Sequence, residues 1–214
     1  MADFTLVIGN KNYSSWSLRP WLILKQLGVD FTEVRIPLYT ATSKQEVLKY
    51  SSSGKVPLLL HGDLTVWESL SICEYLAECF PEANLWPQER QAKAIARSIS
   101  AEMHAGFANL RQYMSMNIRD RLPEKGRQPG VAEDIQRITS IWQECRQNFG
   151  ANGDFLFGHF SIADAMFAPV VSRFITYVVE LDAVSEAYVN TIWSLPAMQD
   201  WVSAAIAETE RIEN

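Results

Sequence analysis

The chain has 214 residues, 48% hydrophobic and 21% charged, with a formal net charge of −6 and an isoelectric point near 5.1. That length can bury a real core in one large domain or two small ones. The acidic balance argues against a nucleic-acid binder, which needs surplus Lys and Arg against phosphate, and against a peripheral binder of anionic membranes.

In chain order, Phe4 to Gly9 is a short β-branched run and Leu18 to Leu27 is apolar and helical, with Gly28 as its C-cap. Phe31 to Pro37 alternates apolar and polar positions as a strand does. Val56 to Leu60 is a further apolar run. His61-Gly62-Asp63-Leu64 turns it back through Thr65-Val66-Trp67 as a hairpin, and Ser69 to Phe80 follows as a helix. The order is β-α-β, a variable stretch, then β-β-α.

Pro81 and Pro87 interrupt any helix, and helical patterns dominate thereafter. Ile95, Ile99, Met103, Phe107, Leu110 and Met114 form one stripe of a long helix, ended by Pro123 and the Gly126 to Gly130 region. Further helices are predicted for Val131 to Phe149, from Ser161 to about Val179, for Ser185 to Trp193 and for Ala197 to Glu208. Ser161-Ile162-Ala163-Asp164 has capping-box spacing. These patterns predict an α/β domain over 1–81 and an all-helical domain over 88–214.

Met1 to Gly9 has neither the basic n-region nor the long apolar segment of a leader, and no run approaches the roughly 18 apolar residues of a membrane helix. Cys73, Cys79 and Cys145 form no CxxC pair, which suits neither a disulfide framework nor a zinc ribbon. The expected compartment is the cytoplasm, and no metal is expected.

The chemistry-bearing segment is Tyr13-Ser14-Ser15-Trp16-Ser17, between the first strand and the first helix. Ser17 can cap that helix, and Pro20 is tolerated in its first turn. An anion held near Ser14 or Ser15 would meet the positive end of the helix dipole. A serine hydroxyl there can donate to a thiolate and so lower a thiol's pKa. Taken alone, the position favours a purely capping role. Two other places change the weighting. The Val56-Pro57 bond can be cis, which would turn the Val56 backbone out to pair with an extended peptide. Ser69 would cap the next helix, whose N-terminus would bind a carboxylate while Glu68 accepts from an ammonium group.

These segments together carry a resemblance that covers essentially the whole chain. Tyr13-Ser14-Ser15-Trp16-Ser17-Leu18-Arg19 resembles the serine-rich segment of zeta-class glutathione S-transferases and their bacterial relatives. Lys55-Val56-Pro57 resembles the family's cis-proline element, Glu68-Ser69 its γ-glutamyl-binding pair, and Ser161 to Asp164 its helical-domain capping box. The resemblance implies a thioredoxin-like N-terminal domain, a helical C-terminal domain, glutathione as co-substrate and a role in detoxification. It also implies a homodimer in which the N-terminal domain of one subunit faces the helical domain of the other. Ser14 is the implied thiol activator, with Ser15 in support, and Lys44, Gln45 or Lys55 would pair with the glycine carboxylate. The small electrophile would lie against Trp16, His104, Phe107 and Arg111. His104 and Arg111, seven residues apart, would share a helix face, and Arg111 or Arg119 would attract an anionic substrate. The zeta pattern has a cysteine after the serine pair where this chain has Trp16. Conjugation of glutathione to a small hydrophobic electrophile is therefore expected ahead of maleylacetoacetate-type cis-trans isomerisation. A non-catalytic glutathione-binding protein is the third reading.

Overall fold

The structure, a computed structural model, describes residues 4–212. Met1 to Asp3, the start of the segment read above for a leader, lie outside the described residues. The α/β portion runs β1 (Phe4–Ile8), α1 (Ser15–Leu27), β2 (Phe31–Arg35), α2 (Ser43–Leu48), β3 (Leu58–His61), β4 (Leu64–Trp67) and α3 (Ser69–Cys79). The sheet order is β2-β1-β3-β4. β1 pairs parallel to β2 with Val7 opposite Val34, and antiparallel to β3 with Leu6 opposite Leu59. This is the thioredoxin-like mixed sheet.

β1 has no polar face because both of its sides are covered. Phe4, Leu6 and Ile8 join the main core, while Val7 packs with Ile36, Val47 and Leu58 on the other side. Such a strand reads as a continuous apolar run rather than an alternating one. Gly28 closes α1 in the left-handed conformation at φ 66°, its N–H donating to the Lys25 carbonyl. Gly62, at φ 57°, makes the turn of the β3–β4 hairpin. Both positions need the freedom of a residue without Cβ.

The helical portion contains α4 (Arg90–Ala105), α5 (Ala108–Tyr113), α6 (Val131–Phe149), α7 (Ile162–Thr176), α8 (Ala183–Trp193) and α9 (Pro196–Ala207). α1 packs against both α3 and α7, and α7 packs against α4. One apolar cluster therefore runs unbroken from Phe4 and Leu22 to Phe167 and Ala205. At the start of α7 both halves of the predicted capping box are made. Asp164 accepts from the Ser161 backbone N–H at 2.9 Å and from its hydroxyl at 2.8 Å. No helix among the described residues is long and apolar enough to cross a membrane.

Two predicted elements are corrected. The single long helix is two helices, broken at Gly106 and Phe107. Gly106 leaves the helical conformation with ψ −166°, and Phe107 takes the left-handed region at φ 59°. The break stands because Arg111 reaches back to the carbonyl ends of α4. Its guanidinium donates to Gly106 O at 2.8 Å, to His104 O at 3.1 Å and to Met103 O, supplying the donors that helix-end carbonyls lack. Secondly, α1 begins at Ser15 rather than after Ser17, so Pro20 falls in its second turn.

Candidate active site

The loop from Gly9 to Ser14 delivers the serines to the N-terminus of α1. Ser14 occupies the N-cap position, but its side chain does not cap the helix. Its hydroxyl lies 2.7 Å from that of Ser17, whose oxygen accepts from the Gly9 N–H at 3.1 Å. A hydroxyl has one proton to donate and two lone pairs. Ser17, accepting from Gly9 through one lone pair, keeps a proton and a second lone pair, so either hydroxyl can be the donor between Ser14 and Ser17, and when Ser17 donates the Ser14 proton can point elsewhere. Ser14 and Ser15 are both buried, and both line a cavity of about 640 Å³ together with Tyr13, Trp16, Arg111 and Arg173.

A second cavity of about 400 Å³ lies alongside, lined by Val56, Pro57, Glu68, Ser69 and His104. Trp16, Lys55 and Val56 line both. The Val56–Pro57 bond is cis. Glu68, not Ser69, is the N-cap of α3. Its carboxylate accepts from the Ser71 N–H at 3.2 Å, and Ser69 is the first helical residue, almost wholly buried. The longer Glu side chain spans the distance back to the third N–H, which displaces Ser69 from the expected capping role. Glu68 also lies 3.3 Å from His104 Nε2.

The residues expected at the electrophile site do not stay together. Trp16 and Arg111 line the larger cavity, with the Arg111 guanidinium 4.6 Å from the Trp16 ring centroid. His104 instead faces Glu68 in the smaller cavity, its ring 5.2 Å from Trp16. The chain break between α4 and α5 removes the shared helix face. Phe107 packs in the core and lines neither cavity. Arg119 is tied to the Tyr13 hydroxyl at 3.0 Å and to the carbonyls of Glu208 and Glu210, and it lines neither cavity. Lys44 lines the larger cavity and Lys55 both, whereas Gln45 lines neither. Cys73 is buried in α3, and burial pushes its thiol pKa upward, the opposite of what a reactive cysteine needs.

Sequence reasoning missed two arginines. Arg19 is fully buried in α1, its guanidinium 4.3 Å from the Trp16 ring centroid. None of its three side-chain nitrogens has a hydrogen-bond partner among the described residues. Burial first, then Arg111 and Arg173, pulls its pKa well below the usual arginine range. Arg173, buried in α7, donates through Nε to Met114 O at 2.8 Å, while one terminal nitrogen is unpaired. A signal was present in the sequence: each is a lone charge inside an apolar run, in Leu18-Arg19-Pro20-Trp21-Leu22 and in Val170-Val171-Ser172-Arg173-Phe174.

A thioredoxin-like sheet with a buried serine pair at a helix N-terminus beside a cis-proline groove is the arrangement that comparison with known proteins identifies. Residues 13–79 match the glutathione S-transferase N-terminal domain, and residues 128–204 match the glutathione S-transferase C-terminal domain. Glutathione S-transferase 1 of Dianthus caryophyllus is 29% identical over 76% of this chain and 73% of its own length. Maleylacetoacetate isomerase of Rattus norvegicus is 29% identical over 78% and 76%. A crystal structure of a Burkholderia glutathione transferase homologue with bound glutathione superposes with a TM-score of 0.71. It is 26% identical, and the match covers 96% of this chain and 100% of that one. The chain belongs to the glutathione S-transferase family and is an enzyme of that family.

Proposed function

We propose that this enzyme adds the glutathione thiolate to a small electrophile carrying an anionic group, with Ser14 as the group that stabilises the thiolate. The carrying observation is the chain Gly9 N–H to Ser17 Oγ to Ser14 Oγ, with steps of 3.1 and 2.7 Å. It holds the Ser14 oxygen in place at the wall of the larger cavity, and with Ser17 donating, the Ser14 proton would be turned to the thiolate. A hydroxyl donating to the charged thiolate, beside the positive end of α1, favours ionisation of the thiol. Glutathione would lie along Val56 in the smaller cavity, with Ser69 and Glu68 at its γ-glutamyl head group and Lys44 or Lys55 at its glycine end. The electrophile would occupy the larger cavity, where Trp16 offers an apolar face and Arg111 and Arg173 offer unpaired guanidinium N–H groups. The protein is read as a cytoplasmic homodimer acting in detoxification.

Isomerisation is the second reading. The rat relative is named as a maleylacetoacetate isomerase, and such a substrate is anionic, as the arginines favour. The thiolate would then add, permit rotation and leave, so glutathione would not be consumed. Trp16, in place of the zeta-type cysteine, favours conjugation. The Ser14→Ala variant tests the activator. Its conjugation rate is expected to fall by about 10- to 100-fold with the acid limb of the pH–rate profile moved upward. Ser17→Ala is expected to show a weaker form of the same change. A Ser14→Ala enzyme with the wild-type rate and limb would make another residue the activator, with Ser15 first in line.

A further inference from the structure

After α9 the chain does not leave the molecule. Residues 208–212 turn back onto the loop that carries the active-site serines. The Glu208 carboxylate accepts from two consecutive backbone N–H groups of that loop, Lys11 at 2.6 Å and Asn12 at 3.0 Å, one to each oxygen. Its side chain is only 6% exposed. The Tyr13 hydroxyl accepts from the Ile212 N–H at 3.3 Å and from Arg119 at 3.0 Å, and Arg119 in turn holds the Glu208 and Glu210 carbonyls. Arg35 on β2 pairs with both Glu208 and Glu210, at 3.5 and 2.8 Å. The middle of α9 is tied to the same loop through Trp201 Nε1, which donates to Lys11 O at 2.9 Å.

Hydrophobic burial does not account for this return, since no residue from 208 to 212 is buried. The tail is held by polar bonds: three end on residues 11–13, and the others on Arg35 and on Arg119, which itself bonds the Tyr13 hydroxyl. Backbone N–H groups in a buried loop need partners, and a carboxylate bridging two of them is a charge-assisted bond of the stronger kind. The next residues along the chain are Tyr13 and Ser14, both lining the larger cavity. A shift of about 1 Å at such a loop is enough to cost a large part of a catalytic rate.

We infer that Glu208 is a positioning residue: by bridging the Lys11 and Asn12 amides it holds the Gly9–Ser14 loop so that the Ser14 hydroxyl meets the glutathione thiol. Glu208 touches no substrate and acts through the loop. The inference rests on the Ser14 reading above, and its test has one arm that needs no glutathione.

Glu208→Ala removes both acceptors, and Glu208→Gln keeps the shape and one of them. The expected result is a fall in kcat of about tenfold for Glu208→Ala, the size of one charge-assisted hydrogen bond. It is accompanied by an upward move of the acid limb of the pH profile and an unchanged KM for the electrophile. Glu208→Gln falls in between. Hydrogen exchange at the amides of Lys11, Asn12 and Ser14 reads the clamp directly and is expected to quicken in both variants. Unchanged exchange at these amides overturns the inference whatever the enzyme's reaction is. So does a wild-type kcat and pH limb in folded Glu208→Ala, even with a lowered melting temperature, because Glu208 would then only stabilise. A wild-type enzyme that does not bind glutathione would instead overturn the Ser14 reading and leave the exchange result to decide the clamp.

Discussion

Two buried charged groups in this molecule are treated in opposite ways. Asp164, wholly buried at the start of α7, accepts from the Leu156 N–H, the Ser161 N–H and hydroxyl, and the Tyr188 hydroxyl, all within 3.1 Å. Burial still pushes its carboxyl pKa up to about 6, yet its oxygens are fully engaged. Arg19, equally buried, lies against the Trp16 ring with no hydrogen-bond partner among the described residues, and Arg111 and Arg173 each keep an unpaired terminal nitrogen. Buried polar groups are normally satisfied. A network that is complete specifies the fold, while one left open at a cavity wall marks where a ligand completes it. Asp164 therefore belongs to the architecture, whereas Arg111 and Arg173 line the larger cavity with a donor unpaired and Arg19 reaches that cavity only through the Trp16 ring.

The sharpest way to break this contrast is Asp164→Ala. It removes the capping box and strands buried donors on Leu156, Ser161 and Tyr188. We expect a loss of about 3 kcal/mol in stability, measured by urea unfolding. A loss under about 1 kcal/mol would mean that the box is ornamental.

Arg19→Met should go the other way. Replacing an unpaired buried cation by an apolar chain of similar length is expected to be neutral, or to stabilise by about 1 kcal/mol. Conjugation activity should fall at the same time. Thermal melts and kcat/KM on one preparation check both halves. A strongly destabilised Arg19→Met would assign the arginine to the fold.

The smallest effect concerns His104. Burial first, then Arg19 and Arg111, lowers its pKa against the opposing pull of Glu68. The folded protein thus binds fewer protons here than the unfolded chain. The stability from this residue is complete above about pH 6.5 and is lost as pH falls through the depressed folded value. Melting temperatures at intervals across this range should show a shallower acid-side decline for His104→Gln. A steeper decline in that variant would contradict the direction of the shift.

Features set by local chain geometry were legible in advance. The Gly28 cap, the β3–β4 hairpin, the span Val131–Phe149 and the Ser161–Asp164 box all follow from hydrogen bonds or periodicities within a few residues. The serine segment, the cis Val56–Pro57 bond and Glu68-Ser69 were also visible as candidates, and the structure brings all of them to two adjoining cavities. Phe107 and Arg119 went elsewhere because their destinations depend on partners far along the chain.

What the amino-acid order determined by itself was the succession of elements and the family to which they belong, because helix periods, caps and turns are local bonds written in neighbouring residues. The tertiary structure alone decided that α4 stops at Ala105 and that Arg19 is buried unpaired. It also decided that Glu68 caps α3 in place of Ser69, and that Glu208 grips two amides 196 and 197 residues away. Each of these depends on which groups compete for the same donor or void once distant segments are packed, and no local pattern encodes the outcome of that competition.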